Sequence, residues 1–194
     1  VVARAVLLEE QGNLATQTAA AKIRSAAERC ARIVRTFLAM ARQQPPQRGP
    51  VAIEEVVAAA LDIANYALRS ANIDVQIDLA DDLPPIDADA DQLHQVLLNL
   101  LINAHHALQD VDGPRRVRIT GRHEHAASRL LLTVTDNGPG IPEALRARVF
   151  EPYFTTKGGR GGTGLGLSVV QKILAGHGGS IRLESAPGLG TKAE

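Results

Sequence analysis

From residue 14 to residue 42 the chain contains neither Pro nor Gly, and apolar positions recur three and four apart. Ile23, Ala26, Cys30, Ile33, Phe37 and Met40 form that stripe. It is the a/d pattern of a coiled coil or bundle, and it predicts one long helix. A single helix cannot bury such a stripe alone. Val1–Glu10 read as the end of a preceding helix, with Gly12-Asn13 as the tight turn between the two. The pair predicts a helical hairpin, completed by a second copy of the chain into a four-helix bundle.

The pattern changes after Gln43-Gln44-Pro45-Pro46-Gln47-Arg48-Gly49-Pro50, a run of structure breakers. It separates a helical unit, residues 1–44, from a second domain, residues 51–194, with residues 45–50 as linker. Helical spacing is expected over 53–70. Ile73, Val75, Ile77 and Leu79 then alternate with Asp74, Gln76 and Asp78, the mark of a half-buried strand. A helix is expected at 90–108, opened by the Asp-rich stretch 87–91. Strands near 116–122 and 129–135, a glycine-rich stretch, a helix over 164–175 and a strand near 180–185 complete the series. No regular βαβ alternation runs through it. The fold class is therefore α+β: a helical hairpin followed by an α/β sandwich, one mixed sheet backed by helices.

Four segments carry candidate chemistry in a fixed order. On the helix at 90–108, Asn99 and Asn103 lie four apart and project from one face. An amide carbonyl is a hard oxygen donor suited to Mg²⁺. The alternative is a pair of amides satisfied by local backbone. Next, the apolar strand ending at Val134 delivers Asp136 into the turn Asn137-Gly138-Pro139-Gly140. A carboxylate held there can accept from an exocyclic amino group such as that of adenine, although such a sequence alone is also an ordinary turn. Phe150–Lys157 holds three of the five aromatics, an anchor for a loop that closes over a ligand. Finally, Gly161–Leu167 feeds a helix whose first N–H groups suit anionic oxygens. Gly159, Gly161 and Gly164 match GxGxxG, but no apolar strand precedes them, so a dinucleotide fold is a poor fit.

Composition narrows the classes. A net charge of zero disfavours a general nucleic-acid binder. Residues 1–48 hold eight Lys or Arg against three Asp or Glu, and the remainder 13 against 18. The basic excess is either a solvated helix face or a docking surface for an acidic partner. Cys30 is the single cysteine, so no disulfide forms within the chain, and a reducing, cytoplasmic setting is expected. No apolar run is long enough to span a bilayer, although a longer parent chain anchored upstream is compatible with this. The histidines, including the pairs His105-His106 and His123/His125, match no zinc spacing, and no metal–histidine site is expected.

Taken together, these segments resemble the catalytic core of two-component sensor histidine kinases, within the gyrase-like (Bergerat) ATP-binding superfamily. QVLLNLLINAHHAL (95–108) looks like the N box, DNGPGI (136–141) the first glycine box, FEPYFTTK (150–157) the F box and GGTGLGL (161–167) the second. Gly188-Leu189-Gly190-Thr191 is similar to the closing glycine motif. The resemblance implies ATP and Mg²⁺ as cofactors, with Asn103 ligating Mg²⁺ and Asn99 supporting the phosphates. It implies that Asp136 binds the adenine amino group while Gly138 and Gly140 shape the base pocket. Gly162, Gly164 and Gly166 would flank the phosphates. The same boxes bring His106, Ile141, Phe150, Phe154, Thr155, Lys157, Thr163, Leu165 and Leu167 into the nucleotide-binding set. His106 stands where many relatives have Lys.

Gyrase-type hydrolases usually place Glu at the position of Asn99, and an amide cannot act as a general base for water. The expected activity is therefore protein-histidine kinase, with relay to the receiver domain of a response regulator and homodimerisation through residues 1–43. Residues 1–43 contain no His, so the family's phosphoacceptor is expected shortly before Val1. The family normally continues past the position of Glu194 into a final strand. The alternatives are another ATPase or a serine kinase of the superfamily, or a non-catalytic dimeric scaffold.

Overall fold

A computed structural model describes residues 16–17, 19–20, 23, 47–156 and 163–194. Pro45–Phe154 and Gly164–Glu194 form one compact unit; the remaining positions group separately. Of that second group, Thr16, Gln17, Ala19, Ala20 and Ile23 are helical. The expected hairpin and its dimer contact otherwise lie outside the described residues, as do Lys157 and Gly162.

The larger unit begins with strand β1 (Gly49–Val51) and helix α1 (Ile53–Ser70). Val56, Val57, Ala60, Ala64 and Leu68 recur every three or four residues along α1, and all are buried. Glu54 and Glu55 in its first turn and Arg69 in its last complement the helix dipole. Asn72, at φ 52°, takes the left-handed conformation that stops the chain and turns it into β2 (Ile73–Leu79).

After β3 (Ile86–Ala88), helix α2 (Ala90–Leu108) is capped by Asp89, whose carboxylate accepts from Gln92 N–H at 3.1 Å. The other Asp89 oxygen accepts from Gln47 N–H at 2.9 Å. Leu93, Leu97, Leu101, Ala104 and Leu108 give α2 its buried face, which packs on α1. Gly49 and Pro50 of the expected linker are already strand, paired antiparallel with Ala88 and Asp87. Proline fits there because the two-stranded ribbon is all edge.

Strands β4 (Arg115–Glu124) and β5 (Arg129–Asp136) form a long antiparallel hairpin. After α3 (Glu143–Arg146) and α4 (Gly166–Gly176), strands β6 (Leu183–Ser185) and β7 (Thr191–Ala193) finish the series. The main sheet runs β2-β4-β5-β7-β6, with β2 parallel to β4 and every other pair antiparallel. One face of this mixed sheet supplies Val117, Ile119 and Val134 to the core, against α1 and α2. The α+β sandwich is as the sequence predicts. Strand β7 lies beyond the last element expected, and it inserts next to β5.

Candidate nucleotide site

Three pieces of the site lie along one stripe of α2. Asn99, Asn103 and Ala107 are spaced by four, so they stack on one face over about 12 Å of helix axis. Each end of that stripe meets a glycine.

At the first end stands Gly166, the first residue of α4. A Cβ there would lie 3.8 Å from Asn103 Nδ2, 3.9 Å from Asn103 Oδ1 and 3.9 Å from Asn99 Oδ1. Both amides are half-buried, and neither has a hydrogen-bonding protein partner among the described residues. That is the mark of polar groups arranged for something other than their own chain. Leu165, at the N-cap of α4, is buried and offers no side-chain cap. The first-turn N–H groups of Gly166 and Leu167 thus receive no side-chain cap from Leu165 and sit at the positive end of the helix dipole. Two amides, an uncapped helix start and a glycine that leaves room between them fit Mg²⁺ with phosphate oxygens.

At the second end stands Gly138, where a Cβ would meet Ala107 Cβ at 3.1 Å and Asp136 Oδ1 at 2.8 Å. Asp136 ends β5, is 8% exposed, and accepts from Gly138 N–H at 2.8 Å. Asn137 fastens this turn to β4: its Oδ1 accepts from Arg116 N–H at 2.6 Å, and its Nδ2 donates to Pro114 at 2.8 Å.

Behind the turn lies the β6–β7 hairpin. A Cβ on Gly140 (φ 73°) would fall 2.0 Å from the Ala186 oxygen, and one on Gly190 (φ 80°) 2.0 Å from the Asp136 oxygen. Backbone lies directly on backbone at both places, which only glycine permits. The Ser185 hydroxyl accepts from Ile141 N–H at 2.8 Å and donates to the Gly190 carbonyl at 2.7 Å. Ser185 is thus a structural part of the site that the sequence reading passed over. Its only signal was its place just before the closing glycine motif.

The aromatic segment has its own fixed geometry. Phe150 and Phe154 are half-buried, and the Arg148 guanidinium lies 4.4 Å from the centre of the Phe154 ring. Gly164 (φ 66°) rests against the backbone of Tyr153, itself at φ 66°, where a Cβ would come within 2.3 Å. Tyr153 and Gly164 therefore meet although ten residues separate them. The left-handed φ of Gly164 keeps it out of the helix, so α4 starts at Gly166 rather than at 164. His106 lies three residues beyond Asn103, its ring 5.5 Å from that of His105. Thr155 and Thr163 group with the smaller unit.

The structure thus gathers Asn99, Asn103, Asp136, Gly138, Gly140, Ile141, Gly166 and Leu167 about one face of α2 and the loops at its two ends. A profile of the family described as histidine kinase-, DNA gyrase B-, and HSP90-like ATPase matches residues 88–194, more than half of the chain. The chain belongs to this family. It is 36% identical over 159 residues to the signal transduction histidine-protein kinase AtoS of Escherichia coli (strain K12). That match covers 82% of this chain and 25% of AtoS, so the chain spans about a quarter of that relative's length.

Among solved structures, full-length ShkA in complex with AMPPNP is similar with a TM-score of 0.74 and 26% identity, over 100% of this chain and 41% of ShkA. ThkA in complex with response regulator protein TrrA shares the fold, with a TM-score of 0.73 and 22% identity, over 99% of this chain and 55% of ThkA. Residues 88–194 are a histidine-kinase-type ATP-binding domain. No helix among the described residues of this domain is long and apolar enough to cross a membrane.

Proposed function

We propose that this chain is the catalytic core of a two-component sensor histidine kinase. It binds Mg-ATP and directs the γ-phosphoryl group to a histidine on the dimerisation helices, outside residues 1–43, for relay to a response-regulator aspartate. It works in the cytoplasm as a homodimer joined through residues 1–43. Residues 1–44 form the dimerisation unit and 51–194 the catalytic one. The observation that carries the reading is the pair of half-buried amides, Asn99 and Asn103, without protein partners among the described residues, beside the start of α4, which has no side-chain cap.

Each residue then has a role. Asp136 accepts from the adenine amino group at the buried end, oriented by Gly138 N–H. The Asn103 carbonyl oxygen is the Mg²⁺ ligand, and Asn99 orients phosphate oxygens next to it. The first-turn N–H groups of α4 face the same oxygens. Bound Mg²⁺ neutralises charge that builds on the phosphoryl oxygens during transfer. With an amide rather than a carboxylate at position 99, no group there removes a proton from water, which favours transfer over hydrolysis.

The test uses this chain extended upstream through a complete first dimerisation helix, incubated with γ-labelled ATP and Mg²⁺. Acid-labile, base-stable label on the chain is the expected outcome. Acid-stable label would make it a serine kinase, and absence of label with intact ATP binding would make it a scaffold.

A further inference from the structure

The far end of the β4–β5 hairpin brings Asp82 to two histidines some 40 residues further along the chain. Asp82 lies in the turn after β2; His123 is the last but one residue of β4, and His125 opens the short 3₁₀ turn His125–Ala127. One ligand atom from each lies within 4.8 Å of the other two. His125 Nε2 is 3.1 Å from Asp82 Oδ2, and the two imidazoles meet edge-on with centroids 4.2 Å apart. His123 lies six residues along β4 from Val117, the partner of Asp136. At about 3.4 Å per residue, that is ~20 Å from the buried carboxylate of the nucleotide site.

From this arrangement we propose that Asp82, His123 and His125 form a second metal site, selective for a borderline divalent ion such as Zn²⁺. Two imidazoles and one carboxylate are a donor set for zinc rather than for Mg²⁺, which prefers oxygen alone. With metal–ligand bonds of 2.0–2.1 Å, tetrahedral ligand atoms stand about 3.3 Å apart. The Asp82–His125 pair already has that spacing. The widest separation must close by at most about 1.5 Å, which rotation of half-exposed and exposed side chains supplies.

The surroundings leave this trio available. Glu124, the intervening carboxylate, is held by Arg129 at 2.7 Å, and Asp78 by Arg122 at 2.8 Å. The β2–β3 turn is fixed to β4 where Ala80 N–H donates to the Gly121 carbonyl at 3.1 Å and Leu79 and Leu83 pack on Gly121. Asp82 is thereby presented to the histidines by a rooted turn. A bound ion would staple that turn to the β4–β5 hairpin.

Zn²⁺ alone, titrated calorimetrically into the full chain, tests this. One site with a dissociation constant at or below the micromolar range is expected, weakened at least tenfold in each of His123→Ala, His125→Ala and Asp82→Ala. Cys30→Ser and excess Mg²⁺ should leave it unchanged. Zn²⁺ should also raise the melting temperature of the parent chain and not of the three variants, a readout that requires them to be folded. Zn²⁺ affinity that survives both histidine substitutions, or only millimolar binding in the parent chain, overturns the proposal. Either result leaves the nucleotide site untouched.

Discussion

The two ends of the α2 stripe are built on opposite principles. At the Asp136 end, nearly every polar group is spoken for by the protein itself: Asn137 to β4, Ile141 N–H to Ser185, Ser185 to Gly190. Backbone rests on backbone at Gly140 and Gly190. At the Asn99/Asn103 end, neither amide has a protein partner among the described residues, and α4 starts without a side-chain cap. On the proposed reading, one end is a rigid mould for the flat base. The other is a polar cradle completed by what it binds. A site for a molecule with a base at one end and charge at the other needs this division.

The comparison can be broken first at the mould. Gly190→Ala places a methyl group 2.0 Å from a main-chain oxygen at positive φ, where no rotamer change relieves it. The expected loss is about 3 kcal/mol of stability, from overpacking and backbone strain together, read in urea melts. Gly188→Ala, with open space around its Cβ, should cost clearly less, leaving only the strain of φ 78°.

Next, Asp136→Asn keeps an oxygen for Gly138 N–H but loses the charge. ATP affinity should fall by about 2 kcal/mol, some 30-fold, with melting temperature nearly unchanged. Calorimetric titration with unaltered affinity would remove Asp136 from base recognition.

At the cradle, Asn103→Ala should do the reverse of Gly190→Ala. Without a protein partner to lose, stability should hold within about 0.5 kcal/mol. Mg-ATP affinity should drop about tenfold, and the advantage of Mg²⁺ over EDTA should shrink. A large loss of stability would show that the amide supports the fold instead.

The smallest effect lies away from both ends. The Arg122 guanidinium, by hydrogen bond and charge, holds the Asp78 carboxyl below the usual carboxylate range. A depressed folded value means stability present above the unfolded pKa, about 3.9, and lost as pH falls through the folded one. Melting of the parent chain and of Asp78→Asn should therefore converge in strong acid. Because the pair is exposed, added salt should shrink the gap at neutral pH.

The periodic elements were legible because burial imposes its own spacing. Ile53–Ser70, Ile73–Leu79 and Ala90–Leu108 fall where one-sided apolar patterning put them. Elements fixed by distant partners were not. β1 and β3 are three residues each and exist by pairing with one another across 35 residues of chain. β6 shrank to Leu183–Ser185 from the expected 180–185, although Arg182 still exchanges backbone bonds with Glu194 at 2.8 and 2.9 Å.

Motif order singled out Asn99, Asn103 and Asp136 as candidates, whereas the placing of Ala107 under Gly138 needed the fold. His177 shows the same limit. No other His or Cys lies near it in the sequence, yet its Nδ1 donates to the Ile173 carbonyl at 2.9 Å while Nε2 accepts from Asp89 N–H at 3.0 Å. It thereby ties the end of α4 to the start of α2. The trio of Asp82, His123 and His125 escaped for the same reason, since no local spacing spans a turn and a hairpin 41 residues apart.

The contact between Gly190 and the main chain of Asp136 has a bearing on how the protein is made. The ribosome delivers the helices of this unit, the long hairpin and Asp136 before residues 186–193, which must slide in behind that acid and pair with β5. A nascent chain stalled before this hairpin emerges has Asp136 but no backbone packed behind it. The wall behind that acid is therefore complete only once residues 186–193 have been made and have paired with β5.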